Sequence, residues 1–224
     1  MSRRLRLTFL IAIGLLLLLA AVLLGVYLAL QYEPAFYHKA LEIDSAVQEK
    51  ASDEMLQRLT GLVSDVGKPG KWQALFSAEQ INGWLAVDMV NNHPHTLPPF
   101  FRDPRVAINS EQIVLACRYQ RGILSTVLTL TVMPYMPEEN MLALRIISVQ
   151  AGLVPLPLGK VLDGITEAAK RSEWQIQWRQ TSGDPVAVLS IPPPKNARDL
   201  VVKIETIQLQ QDKIFVSGVS QKQK

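Results

Sequence analysis

The sequence predicts an α+β chain: an N-terminal transmembrane helix, then a long amphipathic helix, then a curved, mostly antiparallel sheet able to wrap that helix. Three observations carry this. An uncharged apolar run fills Phe9 to Leu30, apolar residues recur every three or four positions from Phe36 to Val66, and from Arg105 the apolar period drops to two.

Residues 1–8 carry Arg3, Arg4 and Arg6, and the first acidic residue is Glu33. The run at 9–30, with about 1.5 Å of rise per residue, reaches roughly 33 Å, enough to cross a hydrocarbon core about 30 Å thick. Positive residues before such a run place the N-terminus in the cytoplasm and residues 31–224, read as one α+β domain, outside. The expected location is therefore the cytoplasmic (inner) membrane, crossed once. A cleaved signal peptide shares the charged start and apolar run. Retention is favoured because the run exceeds the usual 7–15 residues of a signal and no A-x-A site follows it.

The 224-residue chain has a formal charge of +3, but the three leading arginines account for it. Without them the basic residues balance the 20 acidic ones. A neutral outer domain gives no support to nucleic-acid binding. The single cysteine, Cys117, excludes an internal disulfide, and its place in Ile113-Val114-Leu115-Ala116-Cys117 reads as a small buried hydrophobe.

Pro34 suits a first helical turn, and Phe36, Ala40, Ile43, Val47, Ala51, Met55, Leu59, Leu62 and Val66 then form one apolar stripe. One helix is expected over 34–66, stopping near Gly67-Lys68-Pro69-Gly70. It reads as a stripe packed on the domain's own sheet, with a coiled-coil stalk as the alternative. Ser77-Ala78-Glu79-Gln80 fits a capping box, so a second helix is expected over 77–90 with Ile81, Trp84, Leu85 and Met89 on one face. His93 and His95 follow in a proline-rich loop. No third ligand with recognisable spacing accompanies them, so no metal or other cofactor is expected.

Candidate strands run over 105–109, 112–120, 123–133, 141–150, 173–180, 186–191, 200–210 and 213–219. Short polar turns join several as hairpins, and a third helix is inserted at 157–170. Pro192, Pro193 and Pro194 make a stiff connector. The strands at 123–133 and 141–149 are largely apolar on both faces, where a sheet with one covered face would alternate with polar residues. Something apolar is therefore expected on each side. Trp84, Leu128, Leu144, Leu153, Leu156 and Trp178 are candidates for lining a groove, with Phe100, Phe101 and Trp174 as further walls.

The stretch Ala151-Gly152-Leu153-Val154-Pro155-Leu156-Pro157 before Val161-Leu162 is the most individual outside the anchor. Together with Ser77-x-x-Gln80-Ile81-Asn82-x-x-Leu85 and the anchor, it resembles the YpmS-like family of N-terminally membrane-anchored bacterial envelope proteins, over about residues 5 to 170. That resemblance implies no firm activity. It implies a domain similar in outline to tubular lipid-binding modules, whose curved sheet wraps a long helix and lines an apolar groove. The expected function is binding of a lipid or other apolar ligand near the membrane. The alternative is a non-catalytic scaffold or interaction module for another envelope protein. Enzymatic work is not expected: Asp163, Glu167 and Asp184 form no recognisable motif, and no G-x-S-x-G, H-E-x-x-H or glycine-rich phosphate loop occurs.

Overall fold

A computed structural model describes residues 3–171, 176–181, 183–192 and 199–222. The chain is α+β. Helix α1 (Arg3–Leu30) is, among the described residues, the one helix long and apolar enough to cross a membrane, and its Leu10–Leu30 stretch is not buried by the rest of the chain.

The helix expected over 34–66 is two helices, α2 (Ala35–Leu41) and α3 (Ser45–Val66). Asp44 makes the break. Its backbone is extended (ψ 142°) and its carboxylate accepts the Ala46 N–H at 2.8 Å, an N-cap that restarts the helix. Neither helix lies inside a curled sheet. α2 packs Tyr37 on the sheet against Ala116 and Val127, whereas α3 packs on strand β1 (Gly70–Ser77) and helix α4 (Ala78–Ala86).

Strand β1 has no counterpart among the expected elements. The capping box forms at Ser77, whose hydroxyl accepts the Gln80 N–H while the Gln80 side chain accepts the Ser77 N–H. The helix expected over 77–90 breaks at Val87 into α4 and the short α5 (Asp88–Asn92).

The remaining elements are β2 (Phe101–Ile108), β3 (Ile113–Arg121), β4 (Leu124–Glu138), β5 (Met141–Ala151), β6 (Val154–Pro155), α6 (Leu158–Arg171), β7 (Ile176–Thr181), β8 (Asp184–Ser190), β9 (Leu200–Gln210) and β10 (Lys213–Lys222). They make two sheets rather than one. The larger has the order β2-β3-β4-β5-β8-β7 with β6 on β5, and the smaller is β1-β10-β9. All these pairings are antiparallel. Trp174, Pro193 and Pro194 lie outside the described residues.

Two asparagines join the parts by imitating a backbone neighbour at a strand edge. On α4, the Asn82 side chain donates to the Val106 carbonyl (2.9 Å) and accepts the Val106 N–H (2.7 Å), which blunts the free edge of β2. Asn140, in the β4–β5 turn with φ +60°, does the same to β9 through the Val202 carbonyl (2.8 Å) and the Ile204 N–H (2.7 Å). At the end of α3, the Ser220 hydroxyl donates to the Val66 carbonyl and accepts the Trp72 indole N–H, so helix and small sheet share one buried contact. The Trp72 ring lies over Gly218, its cross-strand partner, where a Cβ would overlap it.

Candidate functional site

The most specific contacts in the chain gather where α1 ends. A helix leaves its last four carbonyls without intrahelical partners. Here each is satisfied. Those of Tyr27 and Leu28 accept the Gln31 N–H, that of Ala29 accepts the Tyr32 N–H (3.4 Å) and the Leu153 N–H (2.9 Å), and that of Leu30 accepts the Thr126 hydroxyl at 2.6 Å. The Gln31 side chain also donates to the Ser125 carbonyl at 3.2 Å. Helix α1 is thus clasped by β4 and by the turn between β5 and β6.

The local sequence makes that turn. Ala151 pairs with Val154, leaving Gly152 and Leu153 as a two-residue loop with positive φ (+57°) at Gly152 alone. Glycine first is the pattern of a type II′ turn. It is also needed for the contact, because a Cβ at Gly152 would strike the Ala29 carbonyl oxygen and come within 2.8 Å of that of Leu30.

Next to the clasp, Glu33 and Arg118 form an ion pair at 2.8 Å, and this hydrogen bond raises the guanidinium pKa further. The same guanidinium stands 5.9 Å from the ring centre of Tyr37. Tyr37 is fully buried, its hydroxyl finds no hydrogen-bond partner among the described residues, and burial pushes its pKa up to about 12.

Directly paired residues share a face of a sheet. Leu144 pairs with Ala187, which pairs with Trp178, while Leu130 and Val132 lie on the same side with Ile146 and Val149. Helix α6 covers this face with Leu158, Val161, Leu162 and Ile165, and the Trp178 indole N–H donates to the Thr166 hydroxyl at 2.8 Å. Leu156 packs into the same cluster. Leu128, two residues before Leu130, continues the face toward the clasp, paired with Cys117, whose thiol burial pushes up to about 11. Beyond α6 the cover is incomplete: Leu115 and Leu124 are both 42% exposed. Tyr119, paired with Thr126 and with Phe101, closes this strip with the Phe101 ring at 5.5 Å and the Phe100 ring at 6.2 Å.

Of the six groove candidates, the structure brings Leu128, Leu144, Leu156 and Trp178 onto this one face. Leu153 sits at the clasp with its side chain exposed, and Trp84 is apart on α4, near the His93 ring. Phe100 and Phe101 are at the clasp end of the strip. Sequence reasoning missed Thr126 and Gln31 and singled out Gly152 only as part of an apolar loop, because the role of all three depends on the helix end they meet. His93 lies 3.6 Å from Asp88, and among the described residues no three His, Cys, Asp or Glu side chains converge as metal ligands would. Asp163 and Glu167 are exposed on α6.

A separate apolar cavity of about 190 Å³ lies among Leu62, Val66, Trp72, Val202, Ile204 and Val216, beside Asn140. It is at the other end of β4 from the clasp, about 45 Å away along a strand of that length. No family model, no curated protein and no solved structure matches the chain.

Proposed function

We propose that the chain is a non-catalytic domain anchored by α1 in the cytoplasmic membrane and standing outside it, and that it binds a lipid or other apolar chain next to that membrane. One observation carries this reading: the apolar face of the large sheet runs from α6 to the end of α1 and is left partly open between them, at Leu115 and the half-buried Leu128. An acyl chain on that strip would replace solvent over apolar surface, worth roughly 25 cal/mol for each Å² covered. The leading arginines support the orientation, and the likeness to YpmS-like envelope proteins is consistent with it.

The test is a fatty acid carrying a photoactivatable diazirine in its chain, incorporated into nanodiscs with the full-length protein. Adducts on peptides spanning residues 113–119 and 124–130 are expected. Adducts confined to α1 would sink the reading. N-terminal sequencing of the mature chain tests the anchor separately, since a start near Gln31 would mean cleavage.

The scaffold reading has its own observation in the cavity beside Asn140. At about 190 Å³ it is little larger than the ~150 Å³ site that holds a benzene ring, and it is too far from the clasp to be reached by a bilayer lipid. An apolar side chain of another envelope protein would suit it. In-cell crosslinking from Val63, an exposed residue of its lining, would yield a discrete protein adduct.

A further inference from the structure

The β3–β4 hairpin ends in Arg121, Gly122, Ile123 and Leu124, and Ile123 stands fully clear of the protein at 106% exposure. Leu153, at the tip of the neighbouring β5–β6 turn, is 54% exposed. Neither residue is isolated in space from α1. The Leu153 N–H is bonded to the carbonyl of Ala29, inside the apolar run, so the Leu153 side chain shares the depth of the helix's last turn. Ile123 is two residues from Ser125, whose carbonyl accepts the Gln31 side chain. Two extended residues span about 7 Å, comparable with the headgroup layer that adds roughly 5–8 Å to each side of the hydrocarbon.

We infer that the two turn tips, Ile123 with Leu124 and Leu153, are embedded in the interfacial layer of the same bilayer that α1 spans, so that the domain lies docked on a lipid surface. This rests on the reading of α1 as a retained anchor. Tyr27 and Tyr32, both exposed, flank the helix end as interfacial aromatics do. Arg121, exposed at the base of the tip, brings a guanidinium to the depth of lipid phosphates. The clasp gives the arrangement its rigidity, because the Leu153 N–H of one turn and the Thr126 hydroxyl on the strand leaving the other hold the tips at a set height on the helix.

The experiment places an environment-sensitive fluorophore on single introduced cysteines in the full-length chain, reconstituted in phosphatidylcholine and phosphatidylglycerol vesicles. Ile123→Cys and Leu153→Cys report on the tips. Tyr27→Cys reports on the helix, and Val201→Cys on an exposed apolar site at the far end of the domain. Cys117 stays in place, since its protonated, half-buried thiol labels slowly at neutral pH. The expected result is blue-shifted emission at 123 and 153, quenched by spin-labelled lipid as at 27 and protected from aqueous iodide, with 201 showing the reverse. If 27 is quenched by lipid while 123 and 153 respond to iodide as 201 does, the docking is overturned and the anchor stands. If 27 itself is open to iodide, anchor and docking fall together.

Discussion

Replacing Gly152 by alanine separates a clasp from a casual contact between α1 and the domain. Two penalties arise. An L-residue held at φ +57° costs about 1 kcal/mol, and the new methyl group overlaps the Ala29 carbonyl oxygen, so the turn must withdraw from the helix. Withdrawal forfeits the Leu153 bond to α1, worth about 1 kcal/mol net. Together with the backbone cost, about 2 kcal/mol in all, this corresponds to an increase of roughly 30-fold in opening at this site. Hydrogen exchange of the full-length chain in nanodiscs reads it directly: the Leu153 amide should lose protection by that factor while the β7–β8 pair stays unchanged. Gly152→Asn refines the result, because asparagine accepts positive φ but carries a Cβ, and it should be as damaging as alanine. Unchanged protection at Leu153 in the alanine variant would refute the clasp, and wild-type protection in the asparagine variant would reduce the glycine to a turn requirement.

Thr126→Val keeps the shape but removes the donor to the Leu30 carbonyl, and should lower the thermal midpoint of the detergent-solubilised chain by about 3 °C, from roughly 1 kcal/mol. Tyr37→Phe removes a buried hydroxyl that has no partner among the described residues, so stability in urea should hold or rise by about 1 kcal/mol, whereas Tyr37→Ala should lose about 4 kcal/mol. Cys117 and Tyr37 make the fold alkali-sensitive. Each holds its proton in the folded chain above its ordinary value, 9.0 and 10.0, up to about 11 and about 12. The unfolded state therefore binds fewer protons in that window, and stability, complete below about pH 9, falls as pH rises, by roughly 1.4 kcal/mol per unit for each group once its unfolded form is ionised. Urea midpoints measured from pH 8 to 11 should show this slope, and the Cys117→Ala, Tyr37→Phe double variant should flatten it.

What the sequence allowed and withheld follows the range of the interactions concerned. Periodicity is local, so the hairpin run from β3 to β5, helix α6 and the capping box at Ser77 were legible. The break at Asp44 was not, because an aspartate inside an amphipathic stripe is equally a solvated helical residue, and only its extended backbone turns it into a cap. Strand β1 was hidden for a related reason: Trp72 and Phe76 are its two buried residues, too few for alternation to register, and its register comes from β10, more than a hundred residues away. The groove residues were read from two-sided apolarity, which predicts that a face is covered without saying by what. Here α6 covers the sheet at Val132, Ile146, Val149 and Trp178, while nearer α1 the cover thins. The clasp shows the limit most clearly. Gly152 and Leu153 stood out as part of an apolar loop with prolines, but their partners are the unsatisfied carbonyls at the end of a helix that sequence alone treats as lipid-bound hydrocarbon. Read by composition, an apolar helix of this kind ends in solvent. Read with its last four carbonyls, α1 ends inside the domain, and the position of the domain relative to α1 becomes a property of Thr126, Gly152 and Leu153.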